Sequence, residues 1–357
     1  MSLSRIVFHV QDPEARPIAG ALVSGTSTEH GFWQGLTDGA GDFVANLSPG
    51  HYGILVSAPG FKERTLPADL ADPGTVTIGL DREASSAHIQ IRGIDFVDAS
   101  GARMVYSGTD QFCAYRQFLD MQDLGPLFQE SKELGFNLWR VFLMGSKAQN
   151  GILQLSPADV GYYEHLRPFA DLLSSHGIML LATVFVDAQD IAPSALARQS
   201  HWAKVAGILR GSATLLSGGN EWQKNGFNPG ELFDPAMIWS RGSDLGDAAP
   251  YQPYGTFAEF HPRRDLPAAL MDTVASPVFI HGTNGLTGPL IIDEPPRMGL
   301  DGSGPEYATP EMCYKFARHY ATECGAAVFH SRPGQQGRVM DPTTRACAEA
   351  WQRGMRL

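Results

Sequence analysis

Ser212-Ala213-Thr214-Leu215-Leu216-Ser217-Gly218-Gly219-Asn220-Glu221-Trp222 decides the reading of this chain. An apolar run with turn residues on both sides predicts a buried strand of a parallel sheet. Its end carries an amide, a carboxylate and an indole, which do not belong inside a core. About seventy residues later the pattern returns as Gly288-Pro289-Leu290-Ile291-Ile292-Asp293-Glu294-Pro295. Two buried strands that each present a Glu at the same end predict a carboxylate pair at the mouth of an α/β barrel.

Working outward, the remaining periodicities supply the other strands. Met104 to Gly108 reads as the first barrel strand, with Thr109, Asp110 and Gln111 at its mouth. A helix follows from Leu124 to Leu134, capped by Gly135, and then strand two over Phe136 to Met144. Pro157 to Ser175 reads as helix, Ile178 to Phe185 as strand three, and Pro193 to Leu209 as helix with its proline in the first turn. Strand four ends at Glu221. Met237 to Ser240 and Tyr254 to Phe260 read as strands five and six, the latter ending at His261. A short helix over Asp265 to Val274 precedes strand seven, which ends at Glu294. Pro310 to Glu323 reads as helix, Ala326 to His330 as strand eight, and Pro342 to Arg353 as a terminal helix. Strands alternating with helices fit a (β/α)8 barrel better than a doubly wound sheet, and no Gly-rich nucleotide fingerprint follows the first strand. Ile89 to Gly93 and Phe96 to Gly101 read as a hairpin closing the barrel's bottom.

Residues 1–84 have a different rhythm. Short alternating strands such as Ile6, Phe8 and Val10 are punctuated by Pro, Gly and Asp-Gly turns, which predicts an all-β sandwich. Pro17-Ile18-Ala19-Gly20-Ala21-Leu22-Val23, Thr37-Asp38-Gly39-Ala40-Gly41-Asp42-Phe43, Leu47-Ser48-Pro49-Gly50-His51-Tyr52 and Ala58-Pro59-Gly60-Phe61 resemble the carboxypeptidase regulatory-like sandwich. That resemblance implies a spacer or docking module. Phe32 and Trp33 are either a sugar platform or a half-buried strand pair. The polar run Arg82 to Ala87 marks the boundary with the barrel, residues 85–357.

Composition narrows the function. The 357 residues are 18% charged and 43% hydrophobic, an ordinary globular balance. A net charge of -11 argues against nucleic acid as partner and leaves a neutral glycan open. No run has the length of a membrane-spanning helix. Residues 1–10 lack the features of a signal peptide, which favours a cytoplasmic or particle-associated location. Cys113, Cys313, Cys324 and Cys347 are scattered, read as reduced thiols, and have no metal-ligand spacing. No cofactor or metal is expected.

A carboxylate pair suits glycoside hydrolysis, in which one carboxyl protonates the leaving oxygen and the other attacks or activates water. Arg140 is a partner that keeps one carboxylate ionised, or else neutralises a buried barrel acid. Asn220 is placed to bond a sugar hydroxyl. Trp222, Phe227, Trp239 and Tyr254 either stack on sugar faces or belong to the core. Asp187 and Asp190 line the groove or are solvated loop acids, His261 is a site or structural histidine, and either Glu is alternatively a cap or loop carboxylate.

Asn220-Glu221, Glu294, Asn137-Leu138-Trp139-Arg140 and His261, in that order, resemble the clan A glycoside hydrolases, in particular the endoglucanase and mannanase family. The resemblance covers residues 88–357 and implies retention of configuration on an oligo- or polysaccharide. It makes Glu221 the acid/base, Glu294 the nucleophile, Arg140 the residue holding the nucleophile, and Asn220 a substrate ligand; residue type adds His261, Trp222, Tyr254 and Trp239 as candidate substrate contacts. The chain departs from that pattern at Arg263 and at His330-Ser331-Arg332, where the family often carries aromatics. The rival readings are a barrel that binds carbohydrate or serves a particle without turnover, and a barrel hydrolase or lyase of another chemistry.

Overall fold

The computed structural model describes the chain except residues 1–2, 14, 19–20, 28, 59–63, 71, 81–88, 99, 147–152, 223, 233–236, 244–254, 262–287, 295–296, 299–306 and 357. Two compact units emerge, Met1–Ser85 and Ser86–Leu357.

The first unit is a two-sheet sandwich. Its strands are β1 (Ser4–Gln11), β2 (Leu22–Ser27), β3 (Gly31–Leu36), β4 (Asp42–Leu47), β5 (Gly50–Ser57), β6 (Arg64–Leu70) and β7 (Gly74–Gly79). They form the sheets β4-β1-β7 and β3-β2-β5-β6. Alternation turns Ile6, Phe8 and Val10 of β1 inward, where they meet Val23, Ile54 and Val56. Trp33 is half-buried, with its ring 5.1 Å from Phe8 and laid over Gly25. A Cβ at Gly25 would approach that ring to 2.2 Å, so the glycine makes room for the indole. Trp33 therefore packs on the sandwich core rather than standing out as a platform; the side chain of Phe32 lies outside the described residues.

The second unit opens with β8 (Gln90–Arg92), β9 (Asp95–Val97) and β10 (Arg103–Met104), a three-stranded antiparallel meander where the sequence predicted two strands. An eight-stranded parallel sheet follows: β11 (Tyr106–Asp110), β12 (Leu138–Phe142), β13 (Met179–Phe185), β14 (Thr214–Gly219), β15 (Trp239–Ser240), β16 (Ala258–Phe260), β17 (Leu290–Ile292) and β20 (Ala326–Phe329). The spatial order β15-β14-β13-β12-β11-β20-β17-β16 is a nearly closed barrel. At the remaining seam between β15 and β16, an antiparallel bridge joins Ser240 to Gly255 and the Thr256 N–H donates to the Trp239 carbonyl at 2.7 Å. Two short parallel strands, β18 (Arg297–Met298) and β19 (Tyr307–Ala308), lie in the connection before the last barrel strand.

Helices α1 (Ala114–Leu119), α2 (Gly125–Leu134), α3 (Leu166–Ser175), α4 (Ala188–Ile191), α5 (Ala195–Leu209), α6 (Pro310–Glu323), α7 (Arg332–Gln335) and α8 (Pro342–Met355), with a 3-10 turn at Pro229–Glu231, complete the described elements. Gly135 ends α2 in the left-handed conformation, as the sequence predicts. Thr309 and Asp341 cap α6 and α8, each followed by proline in the first turn. Two expected helices are shorter. Residues 157–165 form turns before α3, and Ser194 caps α5, which leaves Pro193 outside the first turn. Tyr254 and the expected helix Asp265–Val274 lie outside the described residues. Among those described, no helix is long and apolar enough to cross a membrane.

Strand alternation sorts the barrel interior into layers. Tyr106, Leu138, Leu215, Phe257, Ile291 and Val328 form an apolar floor together with Phe96 of the meander. One alternation further along the same faces stand Arg140, Ser217, Glu259, Asp293 and, just past β20, His330; one alternation beyond Glu259 stands His261. Phe96 is fully buried and meets Tyr106 and Phe257 edge-on at 6.0 Å. A side chain at Gly325 would run into that ring. Replacing Phe96 by Ala should cost the barrel about 3–5 kcal/mol, the range for emptying a buried aromatic site. Urea unfolding followed by tryptophan fluorescence would measure it.

Candidate active site

Arg140 occupies the middle of the barrel and is fully buried. Its Nη1 donates to Glu294 Oε1 at 2.7 Å, and its Nη2 donates to Asn220 Oδ1 at 2.8 Å and lies 3.0 Å from Asp293 Oδ2. Asp110, paired with Arg140 in the β11–β12 register, lies 3.8 Å away. The guanidinium also sits over the rings of Phe112 and Phe142. Burial alone would lower the pKa of Arg140, but Asp293, Glu294 and Asp110 outweigh it and raise the value.

His261, just past β16, bridges the two glutamates. Its Nε2 is 3.0 Å from Asp293 Oδ1 and 3.7 Å from Glu294 Oε1, while Nδ1 faces Glu221 Oε1 at 3.7 Å. Desolvation pulls the imidazole down, yet Asp293 and Glu294 push it up to about 10, so the ring is a cation at neutral pH. Glu221 follows the opposite course. Burial would raise its carboxyl, but the nearby His261 ring and Lys224 hold it below the usual range. Lys224 Nζ lies 3.1 Å from Glu221 Oε2.

One oxygen of Glu221, one oxygen of Glu294 and one ring nitrogen of His261 all lie within 4.8 Å of one another. A trio so close has the dimensions of a metal site. Here the ring nitrogens face carboxylates and the ring holds a proton, while Arg140 occupies Glu294, so the donor set reads as a proton-sharing cluster.

The sequence around Glu221 explains its placement. A Cβ at Gly218 would meet the Arg241 carbonyl at 2.5 Å, and one at Gly219 would meet the Phe227 ring at 2.3 Å. Only glycine lets β14 end against those neighbours. Glu221 itself has φ +41°, a left-handed conformation costly for a side-chain-bearing residue. Asn225 secures the turn, its Nδ2 donating to the Asn220 carbonyl at 2.6 Å and its Oδ1 accepting from the Asp187 N–H at 2.7 Å.

The structure thus brings together Glu221, Glu294, Asn220, Arg140 and His261. Trp222 is half-buried and packs beside the core. Trp239 is 4% exposed, with its ring 5.6 Å from Trp202, so it belongs to the core and offers no stacking face. Phe227 is likewise core, packed against Phe185. Asp187 is buried and accepts from the Ser146 N–H, whereas Asp190 is exposed. The sequence reading missed the inward roles of Asp293, Glu259 and His330. His330 Nδ1 bonds Asp110 Oδ2, and its Nε2 lies 4.0 Å from Glu294 Oε2. The signal was available: each sits two residues beyond a floor residue.

Residues 5–81 match the family of carboxypeptidase regulatory-like domains. The first unit is a carboxypeptidase regulatory-like domain. A search of curated proteins returns no match to the chain. Among solved structures, a protein from Bacteroides vulgatus described as a candidate glycoside hydrolase aligns over 96% of this chain and 75% of its own, at 14% identity and TM-score 0.57. The β-glucanase SdGluc5_26A from Saccharophagus degradans, solved with cellotetraose, aligns over 76% of this chain and 94% of its own, at 13% identity and TM-score 0.52. A β-mannanase from the blue mussel Mytilus edulis aligns over 75% and 97%, at 12% identity and TM-score 0.49. The similarities of the first two extend to the fold: a barrel of the kind found in these glycoside hydrolases.

Replacing Arg140 by Met should destabilise the barrel by about 3–5 kcal/mol at pH 7, because it strands buried carboxylates without a counter-charge. The loss should shrink at lower pH as Asp110 and Glu259, whose carboxyls burial raises, take up protons. Urea denaturation of both proteins at pH 7 and below it would measure it. His261 gives the opposite pH signature. Its pKa rises from 6.5 to about 10 on folding, so its stabilisation is complete below 6.5 and lost as pH climbs towards 10. His261→Asn should flatten that part of the stability curve.

Proposed function

We propose that the barrel is a retaining glycoside hydrolase acting on a β-linked oligo- or polysaccharide. The observation that carries this reading is the approach of a Glu221 oxygen to a Glu294 oxygen within 4.8 Å, at the C-terminal ends of β14 and β17. Retaining enzymes hold their carboxyls about 5–5.5 Å apart and inverting ones about 6.5–9.5 Å, and so close an approach supports the retaining reading.

In this reading Glu294 attacks the anomeric carbon. Arg140 aligns its carboxylate by donating to Oε1. The glycosidic C–O bond breaks, and the leaving oxygen takes a proton through Glu221. Glu221 is held ionised, so that proton comes from His261, whose Nδ1 faces it. In the second half, Glu221 accepts a proton from water and returns it to the His261 ring as the hydroxide oxygen displaces Glu294 from the sugar. Asn220, fixed by Arg140, is placed beside the reacting carbon to bond a sugar hydroxyl. In the same reading the first unit serves as a spacer or docking module.

The ionised Glu221 also favours a second reading, a barrel that binds a glycan without cutting it. Reducing-sugar release from β-1,4-gluco- and manno-oligosaccharides separates the two. For the hydrolase, Glu294→Gln and Glu221→Gln should each lower turnover at least about 10²- to 10⁴-fold while the fold persists. Turnover should also persist through neutral pH and fall towards pH 10, where His261 gives up its proton. A parent without turnover, whose oligosaccharide binding both variants leave unchanged, would establish the binding barrel instead.

A further inference from the structure

Glu259 lies on β16 two residues before His261, so both side chains project into the barrel with Glu259 one layer deeper. It is 1% exposed. Its Oε2 accepts the Ser217 hydroxyl of β14 at 2.7 Å and also the Ser240 hydroxyl of β15. These contacts span the place where the barrel's ladder is missing, since β15 and β16 are the two ends of the strand order. The backbone ties there lie at Ser240–Gly255 and Thr256–Trp239, before β16 begins. Beyond them, a carboxylate holding hydroxyls from two successive strands takes the place of strand pairing, directly below the residue that bridges the glutamates.

We propose that Glu259 is a positioning residue that clamps β16 to β14 and β15 and thereby sets His261 and Asp293 beneath the carboxylate pair. For catalysis this rests on the hydrolase reading; as an account of how His261 is held it does not. The charged groups acting on Glu259 are Asp293 after β17 and Arg140 on β12. Burial and Asp293 raise its carboxyl to about 7, against the pull of Arg140 and the two hydroxyls. A group poised there changes charge near neutrality, which links the clamp to pH.

The decisive measurement is the titration midpoint of the His261 imidazole by ¹⁵N NMR in the full chain, which needs no substrate. Glu259→Gln keeps an amide oxygen for the two hydroxyls and should hold the midpoint within about half a pH unit of the parent, while Glu259→Ala should drop it by more than about one unit as Asp293 and His261 part. A folded Glu259→Ala protein with the parent's midpoint would overturn the proposal. Should Glu259→Ala fail to fold, the Ser217→Ala/Ser240→Ala double variant cuts the same contacts and should lower the midpoint in the same direction; an unchanged midpoint there also overturns it. The oligosaccharide assay runs alongside. A shifted midpoint in a parent without turnover sinks the hydrolase reading and keeps the clamp, whereas turnover with an unmoved midpoint does the reverse.

Discussion

The buried guanidinium of Arg140 is the constraint on which the barrel's upper half depends. A cation taken out of water carries a desolvation penalty of several kcal/mol, which only close, well-oriented counter-charges offset. The chain supplies them from strands far apart in sequence, Asp110 from β11 and Asp293 and Glu294 after β17. These strands must keep their positions around the ring for the guanidinium to remain satisfied. Arginine suits the role better than lysine because its planar fork reaches Glu294 through one nitrogen and Asn220 and Asp293 through the other.

That arrangement leaves more carboxylate than cation, and His261 absorbs part of the difference. Its ring faces Asp293 on one side and Glu221 on the other, which explains why it keeps a proton despite complete burial. Glu221 is held in place by backbone means. The Gly218-Gly219 pair lets β14 pass under Phe227 and the Arg241 carbonyl, and the strained φ of Glu221 follows from the turn that Asn225 fastens. Strain of this kind persists only where the surroundings over-determine the residue.

Much of this was legible in the sequence, for definable reasons. The apolar runs before Glu221 and Glu294 mark buried parallel strands, because both faces of such strands are covered. Gly135, Thr309 and Asp341 mark helix ends through cap chemistry that acts locally. The interior layer was harder to read. Asp110 at a strand mouth and Glu259, Asp293 and His330 within predicted strands show which way they face only when the alternation of each strand is phased against the floor, and that phase depends on which residues meet around the ring. Trp239 misled for the same reason: an indole near a strand end serves a sugar or a core equally well, and contact with Trp202 through α5 decides for the core. Strands five and six are short because side-chain and bridge contacts replace regular pairing at the seam, which leaves little periodicity to detect.

The physical cost of the carboxylate pair bears on the choice between cutting and binding. Two oxygens within 4.8 Å repel one another when both glutamates are ionised, more strongly above a buried apolar floor than in water. Hydrogen bonding a neutral sugar does not call for that repulsion, since an amide or hydroxyl serves as well. Here the repulsion is sustained by an arginine, a protonated histidine and Lys224, an outlay of charged groups that a passive hydroxyl contact does not require. A reaction that develops positive charge on a sugar carbon does benefit from such a field. The charge distribution therefore supports the proposed hydrolysis over binding alone, and in that proposal the proton on His261 supplies what the ionised Glu221 lacks.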